Sequence, residues 1–292
     1  MSVFFRFSMV CVFLLLSGQL LADPDQALEA YNLGKYTQAY KGFREAAFEG
    51  HADSQYNLAV MLYSGKGVTK DKAEAVYWFV KAAENGDQSA QYNLGVLFSS
   101  DTELPNKYPK MENGEIYFEI TSEKPSSNEE KAFKWYKMAA EQGHVSAELN
   151  LGVMYHQGLG VKQDYVEAIK WYKKAADNSN TKAQLNLGIL YDTGKGVEKN
   201  VVKAAEFYEK AAKKGLRDAQ YNLGIIYYNG EGGIKHDYVK SYAWLALAEE
   251  QGSELAAIFK ERVDRKLEEK QKIKARKLAV LYYREHLKPF LN

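Results

Sequence analysis

The sequence predicts an all-α chain, a right-handed α-solenoid of repeated helix-turn-helix units with a small β-hairpin inserted in the second repeat. Three observations carry this. The segment Gln-Tyr-Asn-Leu starts at Gln55, Gln91 and Gln220, with variants at Glu148 and Gln184, so its Asn recurs at 57, 93, 150, 186 and 222. Those spacings are 36, 57, 36 and 36, a fixed period with one insertion of 21 residues. Such self-similarity marks a solenoid in which each unit buries its apolar face on its neighbours. A second marker repeats in step: Trp78, Trp135, Trp171, Phe207 and Trp244. Within a unit the apolar residues follow helical spacing, Ala147, Leu151, Gly152 and Tyr155 on one helix, then Ala168, Trp171, Tyr172, Ala175 and Ala176 on the next.

Composition agrees. A chain of 292 residues that is 46% hydrophobic and 26% charged is neither disordered nor collagen-like. Its 39 basic and 38 acidic residues nearly cancel, so no global field points to nucleic acid or an anionic membrane. One Cys excludes a disulfide framework and a cysteine-rich zinc cluster.

The elements follow in order. Residues 1–22 read as a secretory signal peptide: Arg6, an apolar run from Phe7 to Leu16, then Leu20-Leu21-Ala22 before Asp23. The alternative is an uncleaved anchor, but the 16 uncharged residues from Phe7 to Ala22 fall short of the ~20 that span a bilayer. Cleavage would remove Cys11 and leave no integral membrane segment, so the expected location is exported, periplasmic or secreted. Residues 23–50 form a shorter helical pair, a cap of tetratricopeptide type, with Ala27, Leu28, Tyr31, Ala39, Phe43 and Ala46 as its apolar positions. Five repeats follow at 51–86, 87–143, 144–179, 180–215 and 216–252, and residues 253–292 supply two capping helices stopped by Pro289. In each uninterrupted unit a Gly-x-Gly loop breaks the first helix. Asp71, Asn128, Asp164, Asn200 and Asp237 are placed to cap the second, and Glu167 is placed to close a capping box with Asp164. Gly50, Gly86, Gly143, Gly215 and Gly252 turn the chain between units; where the third unit has Ser179, an Asn of Asp177-Asn178-Ser179-Asn180 is expected to take the left-handed conformation. The insertion, about 99–127, contains Pro105, Pro109 and Pro125, and Asn113-Gly114 ahead of Ile116, Phe118 and Ile120 predicts a hairpin.

This pattern resembles the Sel1-like repeat family, a branch of the tetratricopeptide-like solenoids. The residues carrying the resemblance are Leu151-Gly152-Val153-Met154-Tyr155, Gly158-Leu159-Gly160-Val161 and Trp171-Tyr172-Lys173-Lys174-Ala175-Ala176. The fourth unit repeats them as Leu187-Gly188-Ile189-Leu190-Tyr191, Gly194-Lys195-Gly196-Val197 and Phe207-Tyr208, while Ala59 departs from the Gly of other units. The resemblance implies non-enzymatic adaptor work between proteins, often in a bacterial envelope or in host contact. Two other classes remain: binding of a cell-wall component or glycan, and β-lactamase-like or penicillin-binding chemistry. The last belongs to a cysteine-rich branch whose helix-pair cysteines this chain lacks.

No catalytic, cofactor or metal site is read. The Gly-x-Gly loops join two helices, whereas a phosphate loop follows a strand, so a positive-φ turn explains them. The five His, 51, 144, 156, 236 and 286, form no i, i+3 or i+4 pair. Adjacent Glu129-Glu130, Glu249-Glu250 and Glu268-Glu269 diverge on a helix and cannot act as an acid–base pair. Between Lys260 and Lys288, 11 basic residues are interspersed with 5 acidic ones, a solvated face and no nucleic-acid patch.

The first helix of each unit is apolar nearly all round. Opposite its core side lie Val60, Val96, Val153, Ile189 and Ile225, flanked by Tyr56, Tyr92, Leu149, Leu185 and Tyr221, then Tyr63, Ser99, His156, Asp192 and Tyr228. Burial on two sides has two explanations: tight superhelical winding, or a concave groove for a protein or peptide partner. The recurring Asn57, Asn93, Asn150, Asn186 and Asn222 lie at its edge, to bond either the next unit's backbone or a bound peptide. The stripe is most aromatic at its ends, and Tyr63 and Tyr228 are expected to be ligand contacts outside the core.

Overall fold

The computed structural model describes residues 23–100, 110–112, 115–117 and 127–290. The segment 1–22, the turn Asn113-Gly114, Phe118, Ile120 and the three prolines of the insertion lie outside the described residues. The chain divides into two compact units, Met1–Trp135 and Tyr136–Asn292. The first holds α1 (Pro24–Asn32), α2 (Tyr36–Phe48), α3 (Ala52–Ser64), α4 (Lys72–Glu84), α5 (Gln88–Ser100), strands β1 (Lys110–Glu112) and β2 (Glu115–Tyr117), and the start of α6 (Asn128–Glu141). The second holds the end of α6, then α7 (Val145–Gln157), α8 (Tyr165–Asp177), α9 (Thr181–Thr193), α10 (Val201–Ala212), α11 (Arg217–Asn229), α12 (Tyr238–Glu250), α13 (Glu254–Asp264) and α14 (Glu269–Tyr282). A π-helical turn (Tyr283–Leu287) and a 3₁₀ turn (Lys288–Phe290) follow, the latter containing Pro289. The strands pair antiparallel with Glu112 opposite Glu115, which leaves two residues between them, as the hairpin reading requires.

Helices pack in consecutive pairs, the arrangement of an α-solenoid. The small residues make this possible. Ala75, Ala82, Ala83, Ala175, Ala211 and Ala212 have no measurable exposure, so neighbouring helices approach closely. Gly188 shows how tight the fit is: a Cβ there would lie 2.4 Å from the ring of Tyr208. The loops have a second cause besides their turn. Gly194 ends α9 in the left-handed conformation, while a Cβ on Gly196 (φ 69°) would lie 2.4 Å from the Cβ of Tyr165 in the preceding repeat. Gly67 meets the Tyr36 backbone in the same way, at 2.5 Å.

Four local expectations are corrected. Ser179 itself takes the left-handed conformation (φ 65°), because the neighbouring Asn residues are already engaged. Asn178 sits at φ −82° as the C-cap of α8, and Asn180 caps α9 by accepting from the Ala183 N–H. The second correction concerns α6, which is capped by Ser127: its Oγ accepts from the Glu130 N–H while the Glu130 carboxylate accepts from the Ser127 N–H. Asn128 is therefore the first helical residue, since the reciprocal box forms one position earlier. Asp71, Asp164, Asn200 and Asp237 do cap their helices. The box at Asp164 is not closed, because the Asp164 N–H donates to the Tyr155 carbonyl and Glu167 takes Lys170 instead. The fourth correction, the partner of the recurring Asn, belongs to the site below.

Candidate interaction face

All the apolar and Tyr residues of the predicted stripe, the five Asn, His156 and Asp192 are half-buried, and Ser99 is exposed. The stripe is neither sealed by winding nor an open wall, and each unit of the fold treats it differently.

In the first unit, the Tyr56 ring lies 5.9 Å from Phe79, and its hydroxyl accepts from Asn93 Nδ2 at 3.2 Å. Asn57, Val60 and Tyr92 share this half-buried face. Tyr63 carries the Lys70 ammonium over its ring at 5.4 Å.

In the second unit, Asn186 lies beside the hydroxyl of Tyr172, and Asn222 beside that of Tyr208. Tyr172 and Tyr208 are 1% and 2% exposed, so burial pushes both phenols far up, with the neighbouring Asn side chains opposing. The partner of a recurring Asn is seen at Asn93, which donates to the Tyr56 hydroxyl of the preceding repeat and not to the next repeat's backbone. His156 Nδ1 lies 3.4 Å from the same Tyr172 hydroxyl, and burial, then Lys195, holds the imidazole below its usual range. Burial raises the Asp192 carboxyl, against the pull of Lys199.

The last repeat is covered. Tyr221 and Tyr228 meet Phe259 of α13 at 6.1 and 5.9 Å, and Tyr221, Ile225 and Tyr228 pack on the cluster of Leu245, Ala248, Ala256 and Val263. Tyr228 is therefore a packing residue under the C-terminal cap, against expectation; Tyr63 has no such cover among its described contacts.

Between α9, α11 and the start of α13 an open groove of about 530 Å³ remains. Leu185, Ile189, Tyr221 and Asn222, all from the predicted face, line it together with Arg217, Glu254 and Leu255. Leu255 is 57% exposed, and Arg217 pairs with Asp218 at 3.0 Å. Sequence reasoning missed these additions. One signal was present: the position two residues into the first helix reads Asp53, Ser89, Ser146, Lys182 and Asp218, and only at Leu255 does it become apolar.

No group of three or more metal-ligating side chains exists among the described residues. No helix among them is long and apolar enough to cross a membrane. Gly67 packs on the Tyr36 backbone and Gly196 on Tyr165, which leaves no cradle for a phosphate in those two loops.

Comparison with known proteins gives the same architecture. A Sel1 repeat model matches residues 52–87, 88–106, 122–144, 145–180, 181–216 and 217–253, the second and third matches being the two halves of the interrupted repeat. A protective antigen of uropathogenic Escherichia coli with an SLR fold superposes with TM-score 0.71 at 31% identity, over 91% of this chain and 54% of that one. A Sel1 repeat protein from Oxalobacter formigenes gives 0.67 at 30% identity, over 80% and 87%. DAP3-binding cell death enhancer 1 of Rattus norvegicus is 32% identical over 155 residues, 48% of this chain, and the chain spans only 30% of that protein's length. Sel1-repeat proteins generally mediate protein–protein interactions and are generally non-enzymatic. With its repeats matched in register across more than half its length, the chain belongs to the Sel1 repeat family.

Proposed function

We propose that the protein is an exported, non-enzymatic scaffold that binds a protein partner, in a bacterial envelope or at a host surface, through the groove between α9, α11 and α13. The single observation behind this reading is the groove's chemistry: Leu185, Ile189 and the exposed Leu255 line it together with Arg217, Glu254 and Asn222. Apolar side chains beside a few polar and charged ones suit a protein interface. Two rodent relatives are named for binding a protein, DAP3, which supports a protein as the class of partner. Export rests on the charge and hydropathy pattern of residues 1–22.

A photoreactive amino acid placed at Leu185, with Lys173 on α8 as control, tests the groove. Crosslinking from Leu185 alone, followed by at least a tenfold affinity loss in Ile189→Arg with the identified partner, is expected. Equal capture from both positions refutes the groove; capture of a polysaccharide replaces the protein class by a glycan. Fractionation of cells expressing the full chain tests export, and a chromogenic β-lactam is expected to remain unhydrolysed.

A further inference from the structure

Four of the five repeats begin their conserved segment with a buried Gln that does one job. Gln55 Nε2 donates to the Ala47 carbonyl at 3.1 Å, Gln91 to Ala83 at 3.0 Å, Gln184 to Ala176 at 3.3 Å and Gln220 to Ala212 at 3.1 Å. Each bond reaches eight residues back, from a first helix to the end of the helix before it. The third repeat has Glu148 at this position, and eight residues back is Ala140, at the end of α6. Glu148 is 3% exposed, and its Oε2 is buried without a hydrogen-bond partner. An ionised carboxylate only accepts, so it cannot serve a carbonyl; a protonated one carries an O–H that can.

We propose that Glu148 is a proton-operated latch between α6 and α7: its protonated carboxyl donates to the Ala140 carbonyl, as the Gln amides do in the other repeats, and its carboxylate form lets go. Burial raises the carboxyl above its ordinary range, with Lys174 lowering it and Asp177 raising it. Lys174 is held over the Trp171 ring at 4.1 Å. Of the nearby charges on the other elements, Glu141 at the end of α6 pairs with Lys137, and His144 caps α7 one turn before Glu148. Because the folded value lies above the unfolded one, the latch contributes fully below the unfolded pKa and is lost as pH rises through the folded pKa. Leu149, Asn150, Val153 and His156 ride on the same helix, so the latch sets how firmly that part of the face is held.

The test compares melting of the full chain, Glu148→Gln and Gln184→Glu between about pH 4 and about pH 8, with ¹³C titration of the Glu148 carboxyl in the unaltered chain. Glu148→Gln should gain on the unaltered chain as pH rises, by several degrees at the alkaline end, and Gln184→Glu should lose in the same direction. His144, His156 and His286, all held low by burial, weaken the fold in acid, but they are common to all three proteins and cancel in the differences. The carboxyl should titrate above the ordinary carboxylate range. A melting difference that does not change with pH, or a titration within that range, overturns the proposal.

Discussion

Replacing Gly188 with Ala removes one of the most tightly packed glycines in the second unit. The added Cβ would lie 2.4 and 2.5 Å from two ring carbons of Tyr208, against the 3.5–4.0 Å of an ordinary carbon contact. Something must move by about an ångström. The ring cannot retreat easily, since Tyr208 is 2% exposed and packed within a core cluster with Leu223 and Ala211. Overpacking of this kind costs ~1–3 kcal/mol, while Ala returns ~0.8–1 kcal/mol of helix propensity, so the expected net loss is about 0–2 kcal/mol. Hydrogen exchange of α9 and α10 amides reads this locally, as suits a fold whose stability is set by nearest neighbours. Tyr208→Phe removes the hydroxyl and gives the ring room to shift, so the double variant should lose less than the sum of the two single ones, by at least ~0.5 kcal/mol. The chain already contains such a combination: Ala59 stands twenty residues before Phe79, as Gly188 stands before Tyr208. A gain in stability from Gly188→Ala, or an additive cycle, would refute the close-packed-ring account.

Other outcomes follow from the same geometry. Ser179→Gly should stabilise the chain by ~1 kcal/mol in thermal melting, since Ser179 holds a left-handed conformation (φ 65°) that glycine adopts freely. Tyr228→Ala should lower stability by ~2 kcal/mol because Phe259 and the α13 cluster lose their cover, whereas Tyr63→Ala should cost under ~1 kcal/mol; equal losses would sink the distinction. His144→Asn should remove an acid sensitivity. Burial holds the His144 imidazole low, and its Nδ1 accepts from the Ala147 N–H, so this cap is intact above the unfolded value of about 6.5 and is lost as pH falls through the folded value. Asn180 already performs the same capping in the next repeat.

The repeat frame was legible because it rests on spacing: a helix face and a glycine turn can be read from residue order alone. Asp71, Asp164, Asn200 and Asp237 cap where the pattern puts them. What stayed hidden needed a partner at a distance. The tie from Asn93 to Tyr56 requires knowing that first helices of neighbouring repeats bring these two side chains together. The Ser127 cap was obscured because the insertion breaks the register just before α6. The cover over Tyr228 comes from α13, a capping helix that does not follow the repeat and gives no internal copy to compare. Most of the groove's apolar lining was legible as a stripe, but Leu255 lies on that same atypical helix.

Among the described residues, the side-chain bonds that tie neighbouring repeats are short along the chain. Gln220 reaches Ala212, 8 residues away; Lys214 reaches Ser179, 35 away; Asn93 reaches Tyr56, 37 away. A gene encoding such a chain can gain or lose a whole 36-residue block by unequal recombination, and the backbone acceptor of the Gln tie stays at the same offset of eight residues across the new junction. Insertions and deletions of any other length break that register unless they fall between the two helices of a repeat, where the extra 21 residues of the second repeat lie. The architecture therefore lets length and binding surface vary in whole units, while each joint remains subject to its own local selection.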